Sequence, residues 1–89
     1  MPKKKYKIRK GAVVQKVPEG IIIFDVEESK LYTFNETAAV IFQGLKKDRT
    51  IEQIADALTS EYDITSEKAK KEIMKCIRSL ETLHIVESS

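Results

Sequence analysis

The sequence predicts a small α+β domain in which a three-stranded antiparallel sheet precedes three α-helices. The chain has 89 residues, enough for a single hydrophobic core. Before Asn35, short runs rich in β-branched and aromatic residues alternate with turn residues, a pattern typical of strands. After Asn35 the apolar residues repeat every three or four positions, which is the helical period. Because a sheet with one apolar face needs a covering layer, the helices are expected to pack on it.

Short turns separate the three predicted strands. The strands cover residues 13–17, 21–26 and 31–34. Pro18-Glu19-Gly20 is a turn signal, since proline presets φ and glycine accepts positive φ. The polar stretch 27–30 makes the second turn. Connections this short favour an antiparallel meander, which leaves edge strands with unpaired backbone groups.

Residues 1–10 are predicted to form a basic N-terminal arm, and residues 11–89 the folded domain. The first 16 residues carry seven bases and no acid, whereas the remainder carries nine bases and 14 acids, a net charge of −5. Apart from a short extended piece, the arm lacks hydrophobic periodicity, so we expect either a solvated tail or a contact for an acidic partner. The acidic body has the wrong sign for a domain that wraps DNA.

Capping residues mark the start of each predicted helix. The N-caps are Asn35, Thr50 and either Thr65 or Ser66. The first helix begins at Glu36 and ends within residues 44–48, and Gln53 completes a capping-box pattern with Thr50. The third helix is the longest, and its predicted core face consists of Ala69, Ile73, Cys76, Ile77, Leu80 and Leu83. Residues 85–86 are predicted as a short terminal extended piece.

No arrangement of residues in the sequence points to catalysis. It contains no phosphate-binding glycine loop, no HExxH and no CxxC. Cys76 is interpreted as a small apolar core residue, and His84 has no second histidine with which to form a zinc site. The cluster of Asp25, Glu27 and Glu28 is interpreted as a solvated hairpin turn. We therefore expect no catalytic residue, metal or cofactor, and a cytoplasmic location fits a chain with one cysteine.

Residues 34–42 resemble a family signature. They read Phe-Asn-Glu-Thr-Ala-Ala-Val-Ile-Phe, similar to the pattern Leu-Asn-x-Thr-Ala followed by Ile-Trp. Further blocks follow in the family's order: Ile23-Phe24-Asp25, Thr50-Ile51-Glu52-Gln53-Ile54, Leu58 with Tyr62, and Ile77 with Leu80 and Leu83. Together they resemble the PqqD family, named for a pyrroloquinoline quinone synthesis protein and also known as the RiPP recognition element, and the resemblance covers roughly residues 9–86. The chain departs from that pattern at Phe34, Phe42, Lys47-Asp48 and His84-Ile85, where the family has Leu, Trp, Asp-Gly and Gly-Leu.

The resemblance implies a winged helix-turn-helix-like fold and a binding function. Such domains bind the leader segment of a ribosomally synthesised precursor peptide and present the peptide to modifying enzymes. The leader is then expected in a groove between the third strand and the third helix, where it adds a strand to the sheet. The implied partners are the precursor peptide and a peptide-modifying enzyme, such as a radical SAM enzyme or a leader peptidase or cyclase. No nucleic acid and no membrane are expected as partners.

Carried over by position, the peptide-binding residues lie on two elements. Those on the third strand are Lys30, Leu31, Tyr32, Thr33 and Phe34, and those on the third helix are Lys71, Glu72, Lys75, Cys76 and Ser79. Phe34 is expected in the core because it leads directly into the first helix. Leu31 then points to the opposite face, where it either borders the peptide or is an ordinary hairpin residue. The helix lysines suit acidic leader residues, although a solvated helix face has the same composition.

Two other functions fit the same pattern. A DNA-binding winged helix would use the basic stripe Lys71, Lys75 and Arg78 on the third helix. Against it stand the net charge of the body and the carboxylates on the same helix, Glu67, Glu72 and Glu81. A structural subunit or assembly adaptor is the other alternative. Salt dependence separates DNA from peptide binding, because about six phosphate contacts lose about 10³-fold or more in affinity between 50 and 200 mM salt.

Overall fold

The computed structural model describes residues 6–88, which form five strands and three helices. The strands are β1 (Tyr6–Ile8), β2 (Ala12–Val17), β3 (Gly20–Asp25), β4 (Lys30–Asn35) and β5 (Val86–Ser88). The helices are α1 (Glu36–Lys46), α2 (Ile51–Glu61) and α3 (Ser66–Thr82). The predicted three-stranded sheet followed by three helices is confirmed, and each predicted strand agrees with the observed one to within one residue at either end.

Strands β2, β3 and β4 form an antiparallel meander in that spatial order. Ile23 of β3 pairs with Val14 on one side and with Tyr32 on the other. Because side chains alternate along a strand, one face of the sheet carries the buried Ile21 and Ile23. These side chains pack against the buried side chains of the helices in one core. The opposite face carries one cross-strand row of exposed apolar side chains, Val13, Phe24 and Leu31.

Two glycines are required by close contacts between elements. At Gly20 a Cβ atom would lie 1.8 Å from the carbonyl oxygen of Phe34, and the φ angle of +153° is one that side-chain-bearing residues rarely adopt. At Gly44 of α1 a Cβ atom would lie 2.5 Å from Cγ1 of Ile54 in α2. The tight β3–β4 pairing and the α1–α2 crossing therefore both depend on the missing side chain.

The predicted helix caps are confirmed, and Thr65 is the cap of α3. The side-chain oxygens of Asn35 and Thr65 each accept a hydrogen bond from the backbone N–H three residues later, at 2.9 and 3.2 Å. Thr50 and Gln53 form both bonds of a capping box, at 3.2 and 2.9 Å. These bonds satisfy backbone donors that a helix start otherwise leaves unpaired.

None of the helices in residues 6–88 has the length and apolar character needed to cross a membrane.

The core lies between the inner face of the sheet and the three helices. Its largest fully buried side chains are Ile21, Ile23, Ile41, Phe42, Ile54, Leu58, Ile73, Ile77, Leu80, Ile85 and Val86. On α3 the predicted core face is buried at four positions, Ala69, Ile73, Ile77 and Leu80. Cys76 and Leu83 are half-buried at its margin. Burial of each large aliphatic side chain stabilises the fold by about 1.5–3 kcal/mol.

β1 and β5 form a second, two-stranded antiparallel sheet. Tyr6 pairs with Ser88, and Ile8 with Val86. Tyr6 is only 5% exposed and belongs to the core, which differs from the expectation of a solvated tail. The physical reason is that β1 is short and its partner strand lies at the opposite end of the chain, so no local signal reveals the pairing. Residues 1–5 of the predicted arm lie outside the described residues, and the division of the chain at residue 10 stays a prediction.

A left-handed turn at His84 ends α3. The φ angle of His84 is +61°, its N–H donates to the carbonyl of Glu81 at 3.0 Å, and the N–H of Ile85 donates to that of Leu80 at 2.8 Å. These two bonds define a Schellman motif, in which glycine is the usual residue at the His84 position. The turn reverses the chain direction. It brings Ile85 into the core, and β5 follows directly.

Asp25 is buried, so the interpretation of the acidic cluster as a solvated turn was wrong for this residue. Its side chain is almost inaccessible, and its Oδ1 accepts hydrogen bonds from the N–H groups of Glu27 and Glu28 at 3.1 and 3.2 Å. The guanidinium of Arg9 pairs with Asp25 at 3.5 Å and also with Glu27. The carboxylate of Asp25 therefore joins the β3–β4 turn to the N-terminal segment, while Glu27 and Glu28 remain exposed.

Candidate peptide-binding site

One edge of β4 has no partner strand in the described part of the chain. Within residues 6–88, β4 pairs with β3 on one edge and with no strand on the other. The N–H of Val26 donates to the carbonyl of Gly11 at 3.1 Å, so the backbone groups of Val26 point toward β2. Because this direction alternates along an antiparallel pair, the register assigns the β3–β4 bonds to Lys30, Tyr32 and Phe34. The N–H and C=O groups of Leu31 and Thr33 therefore point away from the sheet, where an added strand would meet them.

A groove of about 510 Å³ runs between the end of β4 and α3. The start of α1 and the segment between α2 and α3 complete its lining. Ile41, Ile64 and Cys76 give it apolar surface, and Lys68 and Lys75 place two ammonium groups along it. The groove thus combines apolar side chains with two lysines and the carboxylate of Glu72, a lining that suits an extended peptide.

Six of the ten predicted peptide-binding residues line this groove. They are Thr33 and Phe34 of β4, and Glu72, Lys75, Cys76 and Ser79 of α3. Phe34 is half-buried and packs against the core, so it contributes to both the core and the groove. The position of these residues agrees with the predicted groove between strand and helix. Their contact with a peptide stays a prediction.

The other four predicted residues lie outside the groove. Lys30 is exposed at the start of β4, and Leu31 projects from the outer face of the sheet with 62% of its surface exposed. Tyr32 is half-buried on the inner face and packs against the core. Lys71 is exposed on the solvent side of α3. Of the four, Leu31 retains a route to a bound peptide, because its backbone groups point to the free edge.

Sequence reasoning missed part of the groove. The additional lining residues are Asn35, Thr37, Ala38, Ile41, Tyr62, Ile64 and Lys68. Lys68 had a detectable signal, since it lies four residues before Glu72 on the same helical stripe. Tyr62 and Ile64 had none, because their placement depends on how the connection between α2 and α3 folds. Asn35 was predicted as a helix cap, and it both caps α1 and lines the groove.

Cys76 contributes apolar surface and not a nucleophile. Burial, with a smaller contribution from the Glu72 carboxylate, raises the pKa of the Cys76 thiol to about 11. The thiol is therefore neutral at physiological pH, and the thiolate that nucleophilic chemistry requires is scarce. Partial burial also raises the pKa of the Tyr62 phenol, with help from the carboxylates of Glu36 and Glu61. Both groups present neutral side chains to the groove.

Two further features of the described residues bear on what the site binds. No three of the His, Cys, Asp and Glu residues between positions 6 and 88 are grouped so that they could hold a metal ion. A second cavity, of about 700 Å³, lies between α1, α2 and the β2–β3 turn. It contains none of the ten predicted residues, but Tyr62 lines both cavities. The arrangement at β4 and α3 is thus suited to binding a chain in extended conformation.

Fold and groove together define a small winged-helix-like domain that offers a free strand edge beside a helix. A family model described as coenzyme PQQ synthesis protein D (PqqD) matches residues 20–86. The chain belongs to the PqqD family. This match confirms the resemblance found at residues 34–42 and in the blocks around them. No curated protein matches the chain.

Two solved structures share the fold. The first is described as lasso peptide synthetase B1 complexed with the leader peptide, and it is 25% identical with a TM-score of 0.85. The match covers 93% of this chain and 98% of that one. The second is TbiB1 in complex with the TbiA(beta) leader peptide, 17% identical with a TM-score of 0.83 over 91% of this chain and 94% of that one. At this identity the second structure shows a shared fold alone.

Proposed function

We propose that the protein binds the leader segment of a ribosomally synthesised precursor peptide and presents that peptide to a separate modifying enzyme. The observation that carries the proposal is the free edge of β4, whose outward backbone groups at Leu31 and Thr33 lie beside a groove walled by α3. Membership of the PqqD family and the likeness to a lasso peptide synthetase complexed with a leader peptide support it. Neither comparison supports the DNA-binding alternative.

Strand addition would hold the peptide through main-chain hydrogen bonds of moderate total strength. Leu31 and Thr33 offer two N–H and two C=O groups, and each hydrogen bond stabilises the complex by about 0.5–1.5 kcal/mol net. Ordering of the peptide and of the groove side chains offsets part of this gain. Main-chain hydrogen bonds do not depend on which side chains the peptide carries. Selectivity for the peptide sequence therefore comes from the groove, where alternate peptide residues face Phe34, Ile41 and Cys76.

We propose that the protein has no catalytic activity of its own and acts in the cytoplasm. The raised pKa of the Cys76 thiol supports the first statement, since it disfavours the reactive thiolate. The free cysteine fits a reducing compartment. The modifying enzyme then supplies all the chemistry, and a radical SAM enzyme or a leader peptidase or cyclase are the classes that the family resemblance implies.

The test is a selection of peptides from a display library of random 20-residue sequences. We expect wild-type protein to enrich peptides with alternating apolar residues, and we call the most enriched one the selected peptide. Ser79→Trp fills the groove from an exposed position, so it should abolish binding of the selected peptide. Glu67→Trp is the matched control, because Glu67 is also exposed on α3 but does not line the groove. Failure to enrich any peptide, or equal binding by both variants, contradicts the proposal.

A further inference from the structure

The solvent side of α3 carries a basic surface that extends beyond the groove. It consists of Lys70, Lys71, Lys75 and Arg78 around the side chains of Met74 and Leu83. All four cations are exposed, and no carboxylate of residues 6–88 lines the surface. Among residues 6–88, none of the four forms a salt bridge, since the two ion pairs found there both belong to Arg9. We call these six residues the basic surface of α3.

Positive charge is concentrated here in a body that is otherwise acidic. Residues 17–89 carry nine bases against 14 acids, and four of those nine bases belong to the basic surface of α3. Lys71, Lys75 and Arg78 follow the spacing i, i+4, i+7, so they form one stripe along the helix. Met74 is 36% exposed next to this stripe. An apolar side chain surrounded by cations suits a partner that is acidic with an apolar residue among its carboxylates.

The basic surface of α3 is continuous with the groove. Lys75 belongs to both of them, and the groove residue Ser79 lies next to the basic surface, so the two share a boundary along α3. An extended chain advances about 3.3 Å per residue, and a helix with its side chains is about 10–12 Å across. A peptide that leaves the groove over α3 therefore crosses the helix in about three or four residues. One peptide is long enough to occupy both sites.

We propose that the basic surface of α3 binds an acidic segment of the same peptide whose strand-forming segment occupies the groove. This inference rests on the proposed function and adds the chemical class of the ligand. The acidic segment begins within about four residues of the strand-forming segment, a spacing fixed by the width of α3. Its carboxylates pair with Lys71, Lys75 and Arg78, and the guanidinium of Arg78 can donate two parallel hydrogen bonds to one carboxylate. One apolar residue of the segment packs on Met74.

Two synthetic peptides test the inference by fluorescence anisotropy at 150 mM salt. Both contain the strand-forming segment of the selected peptide followed directly by a four-residue tail, which reads Glu-Glu-Leu-Glu in one and Gln-Gln-Leu-Gln in the other. We expect wild-type protein to bind the glutamate-tailed peptide about tenfold more tightly, the gain that two or three exposed ion pairs supply. Lys71→Glu with Arg78→Glu should remove this preference. Lys10→Glu with Lys46→Glu changes the net charge equally at exposed positions outside the described cavities, and should keep it.

The outcomes separate this inference from the proposed function. Equal affinity of wild-type protein for the two tailed peptides overturns the inference while leaving leader recognition in place. Loss of the preference in the Lys10→Glu, Lys46→Glu control overturns it too, because overall charge then explains the effect. If neither tailed peptide binds to the wild-type protein, the result contradicts the proposed function itself, and the inference fails with it. Tight binding of a DNA duplex at 150 mM salt that Lys71→Glu with Arg78→Glu abolishes would assign the surface to nucleic acid instead.

Discussion

Replacement of Thr33 by proline tests whether the free edge of β4 holds the peptide backbone. The register directs the N–H of Thr33 away from β3 and toward the groove. Thr33→Pro removes this donor without removing a hydrogen bond between β3 and β4. Proline is tolerated on an edge strand whose N–H faces outward. The substitution should therefore weaken peptide binding while leaving the fold intact.

The expected magnitude follows from the hydrogen bond that is lost. A carbonyl of the bound peptide keeps its place in the groove but loses its donor, and an unsatisfied buried acceptor costs about 1–3 kcal/mol. This cost corresponds to a loss of about 5- to 150-fold in affinity. If the proline ring also displaces the peptide chain, the loss exceeds this range.

The assay is fluorescence anisotropy with the labelled selected peptide, accompanied by thermal unfolding of each variant. Thr33→Val is the matched control, because it keeps the N–H and the shape of the side chain. Tyr32→Pro is the comparison for stability, since its N–H belongs to the bond with Ile23 and its loss should lower the melting temperature much more. Unchanged affinity of the Thr33→Pro variant, with the fold intact, refutes strand addition at this edge.

Three further predictions concern the termini and Cys76. Tyr6→Ala should lower the free energy of unfolding, measured by urea titration, by about 3 kcal/mol, because Tyr6 is a core residue. Lys7→Ala is the control, and because Lys7 is exposed this substitution should change the free energy of unfolding by less than about 0.5 kcal/mol. His84→Gly should raise it by about 1 kcal/mol, because glycine adopts the positive φ angle without strain. Alkylation of Cys76 by iodoacetamide at pH 8 should run about 100-fold slower than in the unfolded chain, since the thiol pKa rises from 9.0 to about 11. Its rate should increase tenfold per pH unit up to that pKa, and bound peptide should slow it further.

Each of these predictions has a result that would contradict it. Equal stabilities of the Tyr6→Ala and Lys7→Ala variants would show that β1 does not pack in solution. A destabilised His84→Gly variant would mean that the imidazole makes a contact that outweighs the strain of the turn. Alkylation of Cys76 as fast as in the unfolded chain would show that the groove does not exclude water from the thiol.

Local signals in the sequence were sufficient for strands β2, β3 and β4 and for the three helices. Pro18-Glu19-Gly20 and the caps Asn35, Thr50 and Thr65 act over a few residues, so the sequence alone reveals them. The place of the groove came from the family resemblance. The local pattern leaves open which helix lies beside the free edge, and the groove observed between β4 and α3 agrees with what the family implied.

Features that depend on distant parts of the chain were not predictable. The pairing of β1 with β5 joins opposite ends of the sequence, and the short alternation of Tyr6 and Ile8 carries little signal. Asp25 was interpreted as a solvated turn residue because its partner Arg9 lies 16 residues earlier in the sequence, before β2. Tyr62 enters the groove only through the packing of the α2–α3 connection, which no residue pattern specifies.

Hydrogen exchange of the β4 amides, measured by NMR with and without the selected peptide, tests the central claim most directly. The N–H groups of Lys30 and Tyr32 bond to β3, whereas those of Leu31 and Thr33 face the free edge. Strand addition predicts that peptide binding slows exchange at Leu31 and Thr33 by at least about tenfold, with a much smaller change at Lys30 and Tyr32. Unchanged exchange at Leu31 and Thr33 in the peptide-saturated protein would contradict recognition by strand addition.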